Sequence, residues 1–174
     1  MNALKVLLGV VLALVLQTLL SRFLVHGRLG VDLVLVVVTY LGLTSGPVVG
    51  LFAGTIGGLA QDALSTGIIG IGGLAKTVVG FISGIIGTQF IVSQPIPRFV
   101  VFMAASIVQI GVVMSLEALL ELRPLARTYP LTLLEAAGNG LVGTVLSQLS
   151  DLLPGAIERR KTARGGVRAS RLRE

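Results

Sequence analysis

Six long apolar segments, separated by short polar or glycine- and proline-containing breaks, constrain the fold of this 174-residue chain more than any other feature. The segments cover residues 4–21, 31–45, 47–61, 68–92, 98–121 and 131–153. About 20 apolar residues in a helix cross a bilayer core of about 30 Å, and fewer suffice where neighbouring helices shield the segment. The pattern therefore predicts an all-α integral membrane protein, a compact bundle of about six transmembrane helices.

The composition favours the same class of protein. Only 13% of the residues are charged and the mean hydropathy is +0.94, whereas soluble domains carry about 25% charged residues. This balance excludes a soluble enzyme, a disordered regulator and a disulfide-stapled secreted domain. Because the chain has no cysteine, thiolate chemistry and cysteine metal sites are excluded as well.

Two boundaries leave alternatives open. The second and third segments are short and are separated by Gly46 and Pro47, so they are either two helices or one broken element, which would leave five spans. The first segment follows Lys5, as the apolar part of a signal peptide would. Its apolar run is long and no small-residue cleavage site follows, so we expect an uncleaved span.

Lys and Arg are distributed unevenly along the chain. Residues 159–174 hold seven of the fourteen and one acidic residue, whereas the first 158 residues carry seven basic and seven acidic groups. With six spans and both termini in the cytoplasm, nine Lys and Arg residues near the span ends face the cytoplasm and four face outside. The positive-inside rule therefore favours cytoplasmic termini.

These features divide the chain into two predicted regions. Residues 1–155 form a six-span transmembrane domain, and residues 156–174 form a basic cytoplasmic tail. The tail has no aromatic residue to stack on bases. We therefore expect it to bind anionic lipid or an acidic partner rather than nucleic acid.

Glycine recurs every four residues in the third and fourth segments. The helix-packing candidates are Gly46, Gly50, Gly54, Gly58, Gly80 and Gly84. A row of glycines on one helix face lets two backbones approach closely in a membrane. Such a row serves either tight packing within this chain or docking of a helix from another protein, and the spacing fits both.

Lys76 is the most informative charge because it lies eight residues into the fourth segment. A buried ammonium needs a carboxylate, backbone carbonyls or water. The candidate carboxylates are Asp32, Asp62 and Glu135, which the predicted topology puts toward one side of the membrane. We expect either a structural salt bridge in a glycine-rich core or a polar pocket that opens outward.

Polar residues also recur every four positions in the sixth segment, at Glu135, Asn139, Gly143, Ser147 and Asp151. This spacing places them along one side of a helix, which can face the bundle interior. No Ser/His/Asp set, phosphate-binding loop or zinc signature can be assembled, and His26 has no plausible metal companions. We therefore expect no enzyme activity, no metal site and no cofactor.

Several short motifs resemble those of a known family. Residues 61–65 (QDALS), 70–74 (GIGGL) and 76–81 (KTVVGF) resemble the central signature of the rod shape-determining protein MreD family. Residues 31–33 and 40–43 resemble its second-span pattern, although Val31 stands where that family has proline before the aspartate. Length, span count and the late polar helix are also similar along nearly the whole chain.

This resemblance implies a multi-pass component of the bacterial plasma membrane that belongs to the cell-elongation machinery. The implied partner is MreC, and through MreC the actin-like MreB, the glycosyltransferase RodA and a class B penicillin-binding protein. The family is also similar in fold to the six-helix substrate-binding subunits of energy-coupling-factor vitamin transporters. That similarity keeps a ligand pocket open.

Two hypotheses follow from the sequence. The leading one is a non-enzymatic membrane scaffold that binds the transmembrane and juxtamembrane region of MreC and helps control cell shape and peptidoglycan synthesis. The alternative is a small-molecule-binding subunit of a vitamin-type transporter. The candidate partner-binding or pocket residues are Asp32, Tyr40, Gln61, Asp62, Lys76, Glu135 and Asn139.

The basic tail gives a first testable prediction. A peptide of residues 159–174 is expected to bind vesicles that contain anionic lipid, with about 1 kcal/mol of attraction per basic residue near the surface, and to dissociate as salt is added. Vesicle co-sedimentation measures the binding. The control peptide carries Gln at the seven basic positions, and equal binding of the native peptide to neutral vesicles would contradict the prediction.

Overall fold

The structure, a computed structural model, describes residues 3–23, 31–65, 68–90, 94–120 and 132–151. It separates into two compact units, Met1–Thr144 and Val145–Glu174. Within the described ranges the regular structure is entirely helical, in agreement with the predicted all-α class. The basic tail predicted at residues 156–174 lies outside the described residues.

The described part of the first unit contains six helices. They are α1 (Ala3–Phe23), α2 (Leu33–Ser45), α3 (Pro47–Leu64), α4 (Ile71–Gln89), α5 (Pro95–Leu119) and α6 (132–144). In the second unit, residues 145–151 are helical. By length and composition α3, α4 and α5 can each cross a membrane, and Val6–Leu20 and Leu33–Ser45 are shorter apolar helical stretches.

A turn of one residue joins α2 to α3. Gly46 adopts a φ of 92°, which favours glycine, and its N–H donates to Gly42 O at 2.9 Å to close the end of α2. Pro47 follows at the first position of α3, where its missing N–H leaves no helical hydrogen bond unmade. Since Gly50 lies against Gly42 and Gly57 against Val34, the two helices are antiparallel rather than one broken element.

The glycines of α3 face α4 at very close range. A side chain at Gly50 would collide with the backbone of Gly80, and a Cβ at Gly58 would lie 2.6 Å from Gly73 Cα. Gly54 lies in the same way against the backbone of Lys76. This face is therefore covered by α4 within the chain, and it is not available to a helix from another protein.

The remaining helices pack through ordinary side chains. Val10 of α1 belongs to one buried apolar cluster with Val34 and Val38 of α2. Leu35, Val79 and Ala105 form a second cluster, which joins α2, α4 and α5. Phe102 of α5 lies against Gly143 of α6 and is 1% exposed. The core thus lies between the helices, as the segment pattern predicts.

The outward faces are apolar, and their hydroxyl groups are satisfied locally. Among the exposed large side chains are Leu12 of α1, Phe52 of α3 and Ile107 of α5. The exposed hydroxyls of Thr44 and Ser115 donate to carbonyls four residues earlier, at 2.8 and 2.7 Å. A hydroxyl bonded to its own helix is compatible with lipid, so these surfaces suit a bilayer.

One helix is too short to reach the end of the bundle. α2 has 13 residues and ends at the Gly46 turn, whereas α3 has 18 residues and begins there. At a rise of about 1.5 Å per residue, the N-terminus of α2 stops about 7 Å below the far end of α3. The N-terminus of α2 therefore lies inside the bundle, among α1, α4, α5 and α6.

The close approach of α3 and α4 gives a second prediction. Gly54→Ala is expected to destabilise the protein by about 1–3 kcal/mol, because the new methyl group meets a backbone that cannot rotate away. The measurement is the midpoint of thermal unfolding in detergent.

Gly111→Ala is the matched control, because no atom of the described residues lies within 4 Å of a Cβ at Gly111. Replacing a helical glycine by alanine in open space leaves stability unchanged or raises it by up to about 1 kcal/mol. Equal effects of the two substitutions would contradict the packing described above.

Candidate functional site

The N-terminus of α2, which lies among the other helices, needs hydrogen-bond acceptors for its free N–H groups. The first N–H groups of any helix lack partners within the helix, and the interior of a membrane offers no bulk water to replace them. Here Asp32 N–H donates to Asn139 Oδ1 at 2.7 Å, and Leu33 N–H donates to Gln17 Oε1 at 2.8 Å. Side chains from α6 and α1 thus take the place of water.

Asp32 is the N-cap residue of α2 and the centre of this site. Its Oδ1 accepts the Leu35 N–H at 3.0 Å, in the usual capping geometry. Its Oδ2 accepts from Lys76 Nζ at 2.8 Å and from Gln109 Nε2 at 3.2 Å. One carboxylate therefore joins the end of α2 to both α4 and α5.

The ion pair between Asp32 and Lys76 is largely buried. The Lys76 side chain is 4% exposed and that of Asp32 15% exposed. Removing either charge from water is expensive, and the loss is offset only when the charges pair closely and accept or donate further hydrogen bonds. Asp32 meets that condition through Leu35 and Gln109. The pair is electrically neutral as a unit, which suits a core between membrane helices.

Two amide side chains complete the site. Gln17 uses both ends of its amide, since its Nε2 also donates to Val31 O at 3.1 Å. Asn139 does likewise, since its Nδ2 donates to Ser106 Oγ at 2.9 Å. We refer to the six side chains as the polar clamp: Gln17, Asp32, Lys76, Ser106, Gln109 and Asn139. They come from α1, the start of α2, α4, α5 and α6.

Of the three carboxylates predicted as partners for Lys76, the structure pairs it with Asp32. Asp62 has a different role at the end of α3. Its Oδ2 accepts the N–H groups of Gly70 and Gly73, both at 2.9 Å. Gly70 is the N-cap of α4 and has no side chain to cap it, so Asp62 supplies the missing acceptor from the preceding helix.

The glycines beside Asp62 explain the spacing of this motif. Gly70 adopts a φ of 109°, which favours glycine, and a Cβ at Gly72 would collide with the Asp62 carboxylate. The segments 61–65 and 70–74 therefore form one unit, in which the Asp62 carboxylate at the end of α3 caps the start of α4.

Three other candidate residues lie apart from the clamp hydrogen bonds. Tyr40 is half-buried in the middle of α2, and Glu135 is half-buried near the start of α6. Gln61 has a buried Oε1 without a hydrogen-bond partner among the described atoms, as do Thr39 Oγ1 and Gln109 Oε1. Of the predicted site residues, the clamp thus joins Asp32, Lys76 and Asn139.

Sequence reasoning missed Gln17, Ser106 and Gln109. The signal was present, because each is a polar residue in the interior of an apolar segment. Attention to ionisable groups alone passes over such neutral side chains, although a buried amide needs partners as strictly as a buried charge does.

The clamp binds protein groups to one another. A ligand at Lys76 would have to replace the Asp32 carboxylate at 2.8 Å. Within the described ranges no group of three or more His, Cys, Asp or Glu side chains is placed to hold a metal ion. Through its hydrogen bonds and its ion pair, the clamp holds α1, α4, α5 and α6 around the N-terminus of α2.

A separate apolar groove lies between α1 and α3. Its volume is about 340 Å³, and its lining includes Val6, Val10, Val49, Phe52 and Ile56. Its α3 residues come from the first three turns of that helix, and none of its lining residues belongs to the clamp. It is a concave part of the outer apolar surface.

The comparisons with known proteins give one result. A family model described as rod shape-determining protein MreD matches residues 2–142. No curated protein and no solved structure matches the chain. The matched range includes every residue of the polar clamp and both glycine-rich helices.

The ion pair gives a third prediction. Lys76→Met is expected to destabilise the protein by about 3–5 kcal/mol, because it leaves the Asp32 carboxylate buried without its counter-charge. Asp32→Asn keeps a capping side chain at the start of α2, so the double variant Asp32→Asn/Lys76→Met is expected to regain much of the loss.

Thermal unfolding in detergent of the two single variants and the double variant completes a double-mutant cycle. Lys76→Arg is the control, since it keeps the charge. Additive effects of the two substitutions would contradict a direct interaction between Asp32 and Lys76.

Proposed function

Because the chain belongs to the MreD family of rod shape-determining membrane proteins, we propose that it is a non-enzymatic scaffold of the bacterial elongation machinery that binds MreC. The observation that carries this proposal is the family match over residues 2–142, which includes α1 to α5 and most of α6. In this role the protein holds the transmembrane helix and the juxtamembrane segment of MreC in the plasma membrane. Through MreC it acts on MreB, RodA and a class B penicillin-binding protein during peptidoglycan synthesis.

The distribution of polar groups supports a scaffold. The charged and amide side chains of the clamp are engaged with one another and with the end of α2. An interior braced in this way keeps the relative positions of the helices fixed. A fixed arrangement of helices is what a partner helix requires of the surface on which it docks, because little ordering is then needed on binding.

The outer surface supports binding of a partner within the membrane. Apart from the turn residue Gly46, the glycine rows are covered by contacts inside the chain, so a partner helix meets apolar side chains instead. Exposed large side chains lie on α1, α3, α4 and α5, for example Phe52 of α3 and Phe81 of α4. Membrane helices associate through close van der Waals packing, which such side chains provide.

The proposed orientation follows the charge distribution. With both termini in the cytoplasm, the N-terminus of α2 and the clamp lie toward the outer side of the membrane. The apolar groove lies toward the cytoplasmic side, beside the first turns of α1 and α3. The basic tail then lies at the anionic inner leaflet.

Co-purification with MreC provides a fourth prediction and the direct test of this function. Tagged MreC, co-expressed with the chain and extracted in detergent, is expected to retain it through affinity and size-exclusion chromatography. A variant without residues 159–174 is expected to remain bound, because the proposed contact involves membrane helices. Failure to form a complex, under conditions in which each protein is monodisperse and folded, would contradict the proposal.

Cysteine cross-linking maps the contact, since the natural chain has no cysteine. Single cysteines at Leu12, Phe52, Phe81 and Ile107 sample exposed positions on four helices. Ala75 is fully buried and serves as the unreactive control. Cross-links concentrated on neighbouring helices are expected, and equal yields at all four exposed positions would argue against a defined docking face.

A further inference from the structure

The polar clamp contains one buried acceptor that the protein does not satisfy. Gln109 Oε1 is inaccessible to solvent and has no hydrogen-bond partner among the described atoms. The orientation of this amide is fixed, because its Nε2 donates to the Asp32 carboxylate at 3.2 Å. Exchanging the two ends would set an oxygen against a carboxylate. An unpaired carbonyl in such a place destabilises a protein, because its lost hydration is not replaced.

Lys76 presents the complementary surplus. An ammonium group has three N–H donors. In the described contacts Lys76 Nζ bonds to one acceptor, Asp32 Oδ2. The Lys76 side chain is 4% exposed, so its other donors also lie inside the protein. The clamp therefore contains a buried acceptor without a donor, together with a buried ammonium group that has three donors and one described acceptor.

Both side chains bind the same carboxylate oxygen. Lys76 Nζ and Gln109 Nε2 are both within hydrogen-bond distance of the same oxygen, Asp32 Oδ2. The unpaired Gln109 Oε1 belongs to the same amide as Nε2. A molecule that bridges Nζ and Oε1 must accept one hydrogen bond and donate another, and it must be small and neutral because the ion pair is already balanced.

We infer that the clamp holds an ordered water molecule, which accepts a hydrogen bond from Lys76 Nζ and donates one to Gln109 Oε1. Water has the required size, charge and dual hydrogen-bonding capacity. Buried waters in proteins characteristically make two to four hydrogen bonds to groups that otherwise lack partners. The water completes the polar layer at the end of α2 and makes the clamp a hydrated site inside the helix bundle.

Gln17 provides an internal comparison. Its amide bonds protein groups at both ends, Val31 O through Nε2 and the Leu33 N–H through Oε1. The Gln17 amide, at the same end of α2, therefore has a partner for both its nitrogen and its oxygen. The inferred water belongs specifically to the Gln109 side of the clamp, between α4 and α5.

An experimental structure of the full-length protein in a lipid nanodisc, at a resolution that shows ordered water, tests this inference. The expected result is a density peak within about 3.2 Å of both Lys76 Nζ and Gln109 Oε1, with Lys76 still paired to Asp32. No such bridging peak is expected at the Gln17 amide. A direct bond between Lys76 Nζ and Gln109 Oε1, or an empty space between them, would overturn the inference.

The variant Gln109→Met gives a second readout, since methionine is similar in length but cannot accept the proposed hydrogen bond. Its structure is expected to lack the peak while the Lys76–Asp32 pair remains. A peak that persists in the variant would show that Gln109 does not hold the water. If this variant does not fold, the density in the unmodified protein alone decides.

Discussion

The N-terminus of α2 lies inside the helix bundle. The arrangement of the first unit depends on hydrogen-bond acceptors for the N–H groups at that end. A helix that stops within a membrane exposes N–H groups where bulk water cannot reach them. Here α1 and α6 accept two of these N–H groups, and Asp32 accepts a third as the N-cap. The negative charge that makes Asp32 a strong cap then requires Lys76 on α4 as its counter-charge. The N-terminus of the short helix α2 thus requires side chains from α1, α4, α5 and α6.

α3 contributes no side chain to the clamp and acts on it through its contacts with α4. Its glycines bring α3 into direct contact with the backbone of α4, and Gly54 lies against the segment that carries Lys76. Asp62 caps the same helix from its other side, through Gly70 and Gly73. The position of the Lys76 ammonium is therefore set by packing along α4 and by capping at its start. Close packing, capping and ion pairing therefore all act on α4.

The sequence predicted the helices well, because apolar runs bounded by Gly46, Pro47 and other breaks leave few alternatives. It also identified Lys76, Asp32 and Asn139, since ionisable and amide groups within apolar segments demand partners. It did not select Asp32 over Asp62 as the partner of Lys76. That choice depends on the start of α4, where the N–H groups of Gly70 and Gly73 bind the Asp62 carboxylate. The glycine rows were equally compatible with internal and external packing, and only the tertiary contacts distinguish the two. Gln17 and Gln109 were missed because a neutral amide barely changes the hydropathy of an apolar run.

In the proposed function the polar groups brace the interior of the protein, and the apolar exterior is the surface proposed to receive MreC. An experimental structure of the complex with MreC in a lipid bilayer tests this most directly. We predict that Lys76 remains within hydrogen-bond distance of Asp32 and that the transmembrane helix of MreC lies on the outer apolar surface, outside the α3–α4 glycine contact. A structure in which Lys76 has left Asp32 to bind MreC or a small molecule, or in which the MreC helix separates α3 from α4, would contradict it.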